Sequence, residues 1–152
     1  MAFAEYTQIT DILKTTISQV ANTGIIHSYQ RNINDQQRFE KYCFDKASGR
    51  ISSWMISRES MGDIQASNVA NTRVHSYVLR GYMGVNDDNQ TELIFQRSID
   101  AIANAFTPQG SLSSTVELIR PVQARQIAFV ELHGVLCHYA ELAIDVQEHQ
   151  SS

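Results

Sequence analysis

The chain has 152 residues, of which 43% are hydrophobic and 18% are charged, and its formal net charge is −4. This length is typical of one globular domain that buries roughly 70% of the surface exposed by its unfolded chain. Because the 12 lysines and arginines are scattered along an acidic chain, the composition argues against a protein that grips nucleic acid through phosphate contacts.

The sequence also gives no sign of a membrane protein. No apolar run approaches the roughly 20 residues that span a bilayer, and residues 1–25 hold no basic start followed by an apolar run. Cys43 and Cys137 have apolar neighbours in predicted strands, a setting typical of buried free thiols. We therefore expect no membrane partner, and a protein that stays in a reducing cytosol or is assembled there.

The N-terminal part of the chain is predicted to form one helix and three strands. Apolar residues recur with a helical period over residues 7–21, and Gly24 is the predicted stop. A short strand is predicted over residues 25–31. Residues 39–45 and 50–58 are predicted to be the arms of a hairpin around the turn-rich segment KASG.

Residues 59–72 show no regular pattern and are predicted to be a long loop. Its apolar residues Met61, Ile64 and Val69 stand isolated among small polar ones. Loops of this length are uncommon in compact domains and are either functional or disordered until bound. This segment is therefore either a part that orders only in an assembly or a plain flexible connector.

Residues 73–106 are predicted to form a strand, a polar turn and a helix at the centre of the fold. Both faces of the strand are partly apolar over residues 74–79, which is typical of a central strand. Asn89 and Glu92 have the spacing of a helix N-cap and its N3 carboxylate. The helix carries one apolar stripe, and Pro108 with its neighbours is the predicted stop.

The C-terminal part is predicted to consist of strands. A short strand over residues 115–121 precedes two longer arms, over 125–133 and 135–146. The second arm alternates throughout and is longer than most strands, so we expect it to project from the domain or pair with a neighbouring subunit. Residues 147–152 are predicted to be a flexible tail, and the whole chain is interpreted as one domain.

One group of residues has the chemistry of a zinc site. Glu131, His133, Cys137 and His138 are all metal-ligand types. On regular strands, however, Cys137 and His138 point to opposite faces, so four ligands do not converge. We expect no metal here, and a strand edge with partly exposed histidines instead.

Other chemical motifs are missing from the sequence. It contains no phosphate-binding glycine loop, no nucleophile elbow and no carboxylate pair in an apolar pattern. His27 and His75 stand among apolar or hydroxyl neighbours, which favours structural histidines with satisfied hydrogen bonds. We therefore expect no catalytic residue and no cofactor, and predict that the protein is not an enzyme.

The order of the predicted elements resembles that of a known family. A leading helix and a hairpin are followed by the strand RVHSYVLRGYMG, the acidic turn NDDNQTE, the helix IFQRSIDAIANAF and the closing strands RQIAFVELHGVLCHYAELAIDVQ. This order is similar to that of the tail-terminator and tail-completion proteins of long-tailed bacteriophages. The resemblance covers most of the chain and is one of pattern. It implies an α+β fold, with two main helices on a mostly antiparallel sheet and long hairpin or loop extensions.

The same resemblance implies a structural function. Such proteins form a ring, here expected to be a homo-hexamer, which caps the phage tail tube and joins it to a head-connector or neck protein. DNA passes through the ring without specific binding, in keeping with the net negative charge. The expected location is the tail or neck of the virion, after assembly in the host cytoplasm.

The residues expected to contact neighbouring subunits lie in the hairpin tip, the predicted loop and the closing strands. They are Ser48, Arg50, Arg58, Met61, Ile64, Val69, Arg125, Glu131 and His133.

Two alternatives remain open. The chain could be a small α+β enzyme or ligand-binding domain that uses His133 or His138 as an acid–base group near Glu131. It could also be another neck or adaptor protein.

Overall fold

The computed structural model describes residues 3–65, 71–106 and 111–150. The predicted α+β class is confirmed: three helices accompany a curled, mostly antiparallel sheet of seven strands. The helices are α1 (Tyr6–Ser18), α2 (Gln36–Cys43) and α3 (Thr91–Phe106), and a 3-10 helix covers Asp87–Asn89. The strands are β1 (Ile25–His27), β2 (Phe44–Asp45), β3 (Arg50–Gln65), β4 (Asn71–Gly84), β5 (Val116–Leu118), β6 (Gln123–Leu132) and β7 (Val135–His149).

The sheet is built on the strand order β1, β3, β4, β7. On the far side of β7, β6 pairs with its first half and β5 with its last residues, while β2 extends the start of β3. Within the described residues β1 runs parallel to β3 and every other pairing is antiparallel. One row of paired residues crosses the whole sheet from Ile26 through Trp54, Gly81 and Ala140 to Ile127.

The helices α1 and α3 cover one side of the sheet, which we call the helix face. Trp54 on β3 stacks on Phe95 of α3, with ring centroids 5.6 Å apart and an interplanar angle of 12°. The same indole lies flat against Gly81, where an added Cβ would stand 2.4 Å from the ring. Glycine is required there because the ring touches the backbone of β4. The fully buried aliphatic side chains of this core include Ile9, Leu13, Ile17, Ile56, Leu79, Ile102, Ile144 and Val146.

The other side of the sheet, which we call the open face, is covered at one end by α2. There Phe39 and Cys43 of the helix pack with Met55, Tyr82 and Cys137 of the sheet. Both cysteines are buried and free, as predicted. Burial raises the pKa of each thiol to about 11, which leaves both protonated and unreactive near neutral pH.

The predicted loop over residues 59–72 is wrong for every residue of it that the structure describes. Residues 59–65 continue β3 and residues 71–72 begin β4, so the segment is the outer part of a long hairpin. Cross-strand pairing holds this part together: Arg73 binds Asp63 at 2.6 Å, and Met61 lies opposite His75. Val69, with the rest of residues 66–70, lies outside the described residues.

The predicted strand over residues 39–45 is also wrong, because most of it belongs to α2. Asp35 caps this helix by accepting a hydrogen bond from the backbone N–H of Arg38 at 2.7 Å. Phe39 and Cys43, one turn apart, are its buried residues. The predicted hairpin shrinks to the two pairs that β2 makes with β3.

The start of α3 differs from the prediction as well. Asn89 does not cap α3; its backbone N–H donates to the side chain of Asn86 at 3.1 Å, and the helix begins at Thr91. Glu92 reaches across to Nδ1 of His138 at 3.1 Å instead of serving a cap at Asn89. α3 ends at Phe106, and the predicted stop at Pro108 lies outside the described residues.

The remaining predicted elements are found close to their expected places. α1, β1, β5, β6 and β7 match the predicted helix and strands within a few residues. The predicted flexible tail is wrong over residues 147–149, because β7 continues through His149. Residues 151–152 lie outside the described residues.

Candidate assembly surface

The outer edge of the sheet at β6 presents an apolar surface, which we call the β6 patch: Ile127, Phe129 and Leu136. Their side chains are 47%, 59% and 49% exposed. Ile127 and Phe129 alternate on the helix face of β6, and Leu136 lies on the same face of β7, two residues before the partner of Phe129. In the described chain β6 pairs with β7 on one side, and its other edge is unpaired.

The β6 patch is exposed because the helices stop short of it. Helix α3 packs over β4 and β7, so β6 extends past the edge of the helical layer. A shallow recess of about 210 Å³ lies between the first turns of α3 and β6, lined by Phe95, Ile127, Phe129 and His138 among others. Apolar side chains on an unpaired strand are a typical starting point for association with another chain.

Behind the patch, His138 fastens the start of α3 to β7. Its Nδ1 lies 3.1 Å from a carboxylate oxygen of Glu92, and its Nε2 lies 2.8 Å from the hydroxyl of Thr91. A carboxylate can only accept, so Nδ1 carries the proton and Nε2 accepts from Thr91. Burial lowers the pKa of His138, although Glu92 opposes this shift. The imidazole is therefore a neutral bridge between helix and strand.

The hydroxyl, imidazole and carboxylate of this group resemble the order of a catalytic triad, but their surroundings differ. The Thr91 side chain is completely buried, and its oxygen also accepts a hydrogen bond from the backbone N–H of Asn86 at 2.9 Å. A nucleophile must be reached by its substrate, and this hydroxyl is not. The arrangement positions α3.

The histidines proposed for an enzyme lie apart from their expected carboxylate. His133 sits in the β6–β7 turn with φ 51°, and its Nε2 is 2.8 Å from the backbone oxygen of Ile33. Glu131 is exposed and forms no hydrogen bond or ion pair with His133 or His138. Across the described ranges no three histidine, cysteine or acidic side chains are grouped to hold a metal ion.

On the open face, four charged side chains form a ladder across the sheet. Glu59 of β3 binds Arg125 of β6 at 2.8 Å and Arg80 of β4 at 3.4 Å. Arg125 also binds Glu141 of β7 at 2.8 Å, and Glu141 accepts from the hydroxyl of Tyr139. The hydrogen bond from Arg125 lowers the pKa of Glu59, and that from Tyr139 lowers the pKa of Glu141. The ladder joins β3 to β6 across the two strands between them.

Both ends of this ladder come from irregular points of the strands. The β3–β4 register shifts between Arg58 and Ser60, and the β6–β7 register shifts between Ala124 and Gln126. Glu59 and Arg125 are the extra residues at these two shifts. A bulge redirects its side chain and bends the strand, so the two bulges account for a contact between strands that are not neighbours.

A second exposed apolar region lies beside α2. A groove of about 630 Å³ is lined by Gln37, Glu40, Lys41, Phe44, Ile51 and Val135. Phe44 is 42% exposed there. This groove lies at the end of the sheet where β2 meets β3, on the open face.

At the opposite end of the sheet, a buried pair ties the N-terminal segment to β7. Nε2 of His75 lies 3.1 Å from Glu148, and both side chains are almost completely buried. Glu148 also accepts a hydrogen bond from the backbone N–H of Ala4. His27 is a structural histidine as predicted, with Nε2 2.6 Å from the backbone oxygen of Tyr42. His75 is also buried in the structure, but its Nδ1 has no hydrogen-bond partner among the described residues, so the predicted full satisfaction is wrong for it.

The residues predicted to contact neighbours do not form one surface. Ser48 and Arg50 flank the turn before β3, and Arg58 lies on the helix face with its guanidinium 5.3 Å from the ring of Tyr6. Met61 and Ile64 are exposed on opposite faces of the long hairpin.

The other predicted contact residues lie at β6 and its turn. Arg125 is engaged in the ladder, and Glu131 borders the β6 patch next to His133. Val69 is outside the described residues. The prediction missed Ile127, Phe129 and Leu136, because their alternation identifies a strand but does not show which of its faces the helices leave uncovered.

The sequence matches no protein-family model and no curated protein. Among the described residues no helix is long and apolar enough to cross a membrane.

Proposed function

We propose that this protein is a structural subunit that assembles with copies of itself through the β6 edge. The observation that carries the proposal is the unpaired strand β6 with Ile127 and Phe129 exposed on one face. Soluble proteins usually protect such edges with charges, proline or a covering element. An uncovered apolar edge is therefore best explained by a partner that covers it in the working state.

The rest of the chain is consistent with a scaffold. The His138 bridge holds α3 in place, and the ladder through Glu59 and Arg125 holds β6 to the rest of the sheet. These contacts keep the exposed strand in a fixed position before it meets a neighbour. A rigid edge loses little conformational entropy on association, which favours binding.

The particular assembly we propose is the ring that closes the tail tube of a long-tailed bacteriophage. The element order supports this reading, as does the presence of a free edge on a single small domain. A contact between different surfaces of successive copies closes into a ring when the rotation between copies allows it. A homo-hexamer would join the tube protein to a head-connector or neck protein, and the acidic chain would let DNA pass without specific binding.

Electron microscopy of the purified protein tests this proposal. We expect rings in negative stain, and shorter tubes when the protein is added to growing tail-tube subunits from the genome that encodes it. A matched variant, Phe129→Glu, should form no rings and leave tube length unchanged. A wild-type protein that stays monomeric at every concentration and does not affect tube growth would overturn the proposal.

A further inference from the structure

We propose that the surface which covers the β6 patch is the opposite edge of the sheet in a second copy, around β1, and that complementary charges select it. This inference rests on the proposed self-assembly and names its mating surface. The acidic edge consists of Asp87, Asp88 and Glu131 beside the β6 patch. The basic edge consists of Lys14, Arg31 and Lys41 around β1.

The three carboxylates of the acidic edge lie close to the β6 patch. Glu131 pairs with Leu136 across β6 and β7, and the backbone N–H of Val85 donates to Leu136 at 3.0 Å. Asp87 and Asp88 follow Val85 two and three positions later and are exposed. Within the described chain, no lysine or arginine pairs with Asp87, Asp88 or Glu131.

The three cations of the basic edge surround β1. Arg31 stands 3.9 Å from the ring of Tyr42 and 4.8 Å from the exposed ring of Tyr29. Lys41 lies 5.4 Å from the same Tyr42 ring. Burial lowers the pKa of His27 on β1, and the nearby charges of Arg31 and Lys14 lower it further.

These cations have no ion-pair partner in the part of the chain that the structure describes. Lys14, Arg31 and Lys41 form no ion pair with any described carboxylate. The neighbouring carboxylates have other contacts: Asp35 pairs with Arg38, and Glu40 accepts a hydrogen bond from Gln36. A chain of net charge −4 therefore keeps unpaired cations at one edge and unpaired carboxylates at the other.

The two edges match in position and direction. Ile26 of β1 and Ile127 of β6 end the same row of paired residues, so the edges lie at one level of the sheet. Four strand spacings of about 4.8 Å separate β1 from β6 along the sheet, roughly 19 Å. On the open face the β6–β7 turn reaches the segment after β1, because Nε2 of His133 lies 2.8 Å from the backbone oxygen of Ile33. β1 runs opposite to β6, so a neighbour placed side by side presents β1 antiparallel to β6, the more stable pairing.

Exposed aromatic rings add an apolar contribution at the basic edge. Tyr29 is 52% exposed and Phe44 is 42% exposed near β1 and β2. The contact would thus combine an apolar centre with charged borders of opposite sign, the usual anatomy of a specific interface. Because the two edges differ, successive copies join head to tail, as a ring requires.

Charge reversal tests this inference. One variant carries Lys14→Glu, Arg31→Glu and Lys41→Glu, a second carries Asp87→Lys, Asp88→Lys and Glu131→Lys, and a third carries all six changes. We expect each three-site variant to raise the dissociation constant for self-association by at least about tenfold, because like charges then face each other. The six-site variant should return towards the wild-type value, since the two edges are again opposite in sign.

The outcomes separate this inference from the proposed function. If the wild type assembles and Phe129→Glu does not, but both three-site variants assemble normally, the β1 edge is not the partner and the proposed function stands. The same conclusion follows if the six-site variant does not recover. A wild type that never self-associates overturns both. Circular dichroism and thermal unfolding establish that each variant is folded, a control needed most for the half-buried Arg31, since the other five positions are exposed.

Zero-length cross-linking of the wild-type protein gives a second readout without substitutions. A carbodiimide joins amines to carboxylates that touch, and mixing isotopically labelled and unlabelled chains identifies links between copies. We expect links from Lys14 or Lys41 to Asp87, Asp88 or Glu131 of another copy, which disappear at high salt as the charges are screened. Intermolecular links confined to other residues would overturn the proposed pairing.

Discussion

Gly81 decides how the largest side chain of the core is packed. The Trp54 ring lies against the backbone of β4 at this position and stacks on Phe95 on its other side. The indole is held between a strand and a helix, so it cannot shift to admit a methyl group.

At Thr91 a single hydroxyl group forms hydrogen bonds with both Asn86 and His138.

We expect Gly81→Ala to lower the free energy of unfolding by about 2 to 3 kcal/mol, because the added Cβ overlaps a confined ring. Urea denaturation measures the loss. Gly62→Ala is the matched control: an added Cβ there has no atom within 4 Å, so its change should stay within about 0.5 kcal/mol. Equal effects at both positions would contradict this account of the packing.

We expect Thr91→Val to cost about 1 to 3 kcal/mol of stability, because a buried imidazole nitrogen and a backbone N–H lose their partner while side-chain volume is kept. Thr15→Val serves as control, since its hydroxyl is on the exposed side of α1 and bonds Asp11 within the helix. Chemical denaturation of both variants provides the comparison. A loss at Thr91 no greater than at Thr15 would show that the hydroxyl does not support α3.

At the scale of elements, the curl of the sheet depends on the bulges in β3 and β6. Each bulge redirects one charged residue towards the open face. Arg125 of β6 then reaches over β7 and β4 to bind Glu59 of β3. Exposed ion pairs of this kind contribute little to global stability, about 0 to 1 kcal/mol. Their effect should be local to β6, because within the described chain this strand pairs with β7 alone.

We expect Arg125→Gln to increase amide hydrogen exchange along β6 while changing the free energy of unfolding by less than about 1 kcal/mol. The control is Arg120→Gln, which removes a pair with Asp145 at 3.3 Å outside β6. Exchange followed by mass spectrometry locates the effect. Unchanged exchange in β6 would mean that the ladder does not hold this strand.

Elements whose apolar residues recur with a clear period could be predicted from the sequence. Elements that are held mainly by cross-strand pairing could not. α1 and β7 show clear periods because one face of each is buried along its length. The outer half of β3 has no such face: Met61 and Ile64 are exposed on opposite sides, so nothing in the pattern indicates a strand. α2 escaped prediction because just two of its residues, Phe39 and Cys43, are buried.

The candidate surface was predictable in part for the same reason. Glu131 and Arg125 were placed correctly on the closing strand, where the alternation is regular. Which face of β6 remains uncovered depends on where α3 crosses the sheet, and this is set by contacts such as that of His138 with Glu92. The bulges that bring Glu59 to Arg125 depend on strand register, which no local pattern of residues specifies.

At the scale of the whole molecule, buried histidines link folding to pH. Burial lowers the pKa of His75, of His138 and of the half-buried His27. The folded state therefore keeps these imidazoles neutral at pH values where the unfolded chain binds protons. The contribution of these neutral histidines to the free energy of unfolding is fully present above the unfolded pKa of about 6.5, and it is lost as the pH falls below that value.

We expect the free energy of unfolding to decrease as the pH falls below about 6.5, by up to about 1.4 kcal/mol per pH unit for each fully buried histidine. Urea denaturation at a series of pH values gives this slope. His138→Gln should make the slope shallower whatever its effect on stability at neutral pH. A free energy that is constant or rises as the solution becomes mildly acidic would contradict the assignment of neutral, buried imidazoles.

The central claim is that the uncovered β6 edge drives self-association, and sedimentation velocity tests it most directly. Wild-type protein, Phe129→Glu and Leu93→Glu are compared over a micromolar to millimolar range, since Leu93 is similarly exposed but lies on the outer side of α3. We predict that the wild type and Leu93→Glu form the same oligomer, while Phe129→Glu weakens association at least about tenfold. Identical sedimentation of all three proteins would contradict the claim.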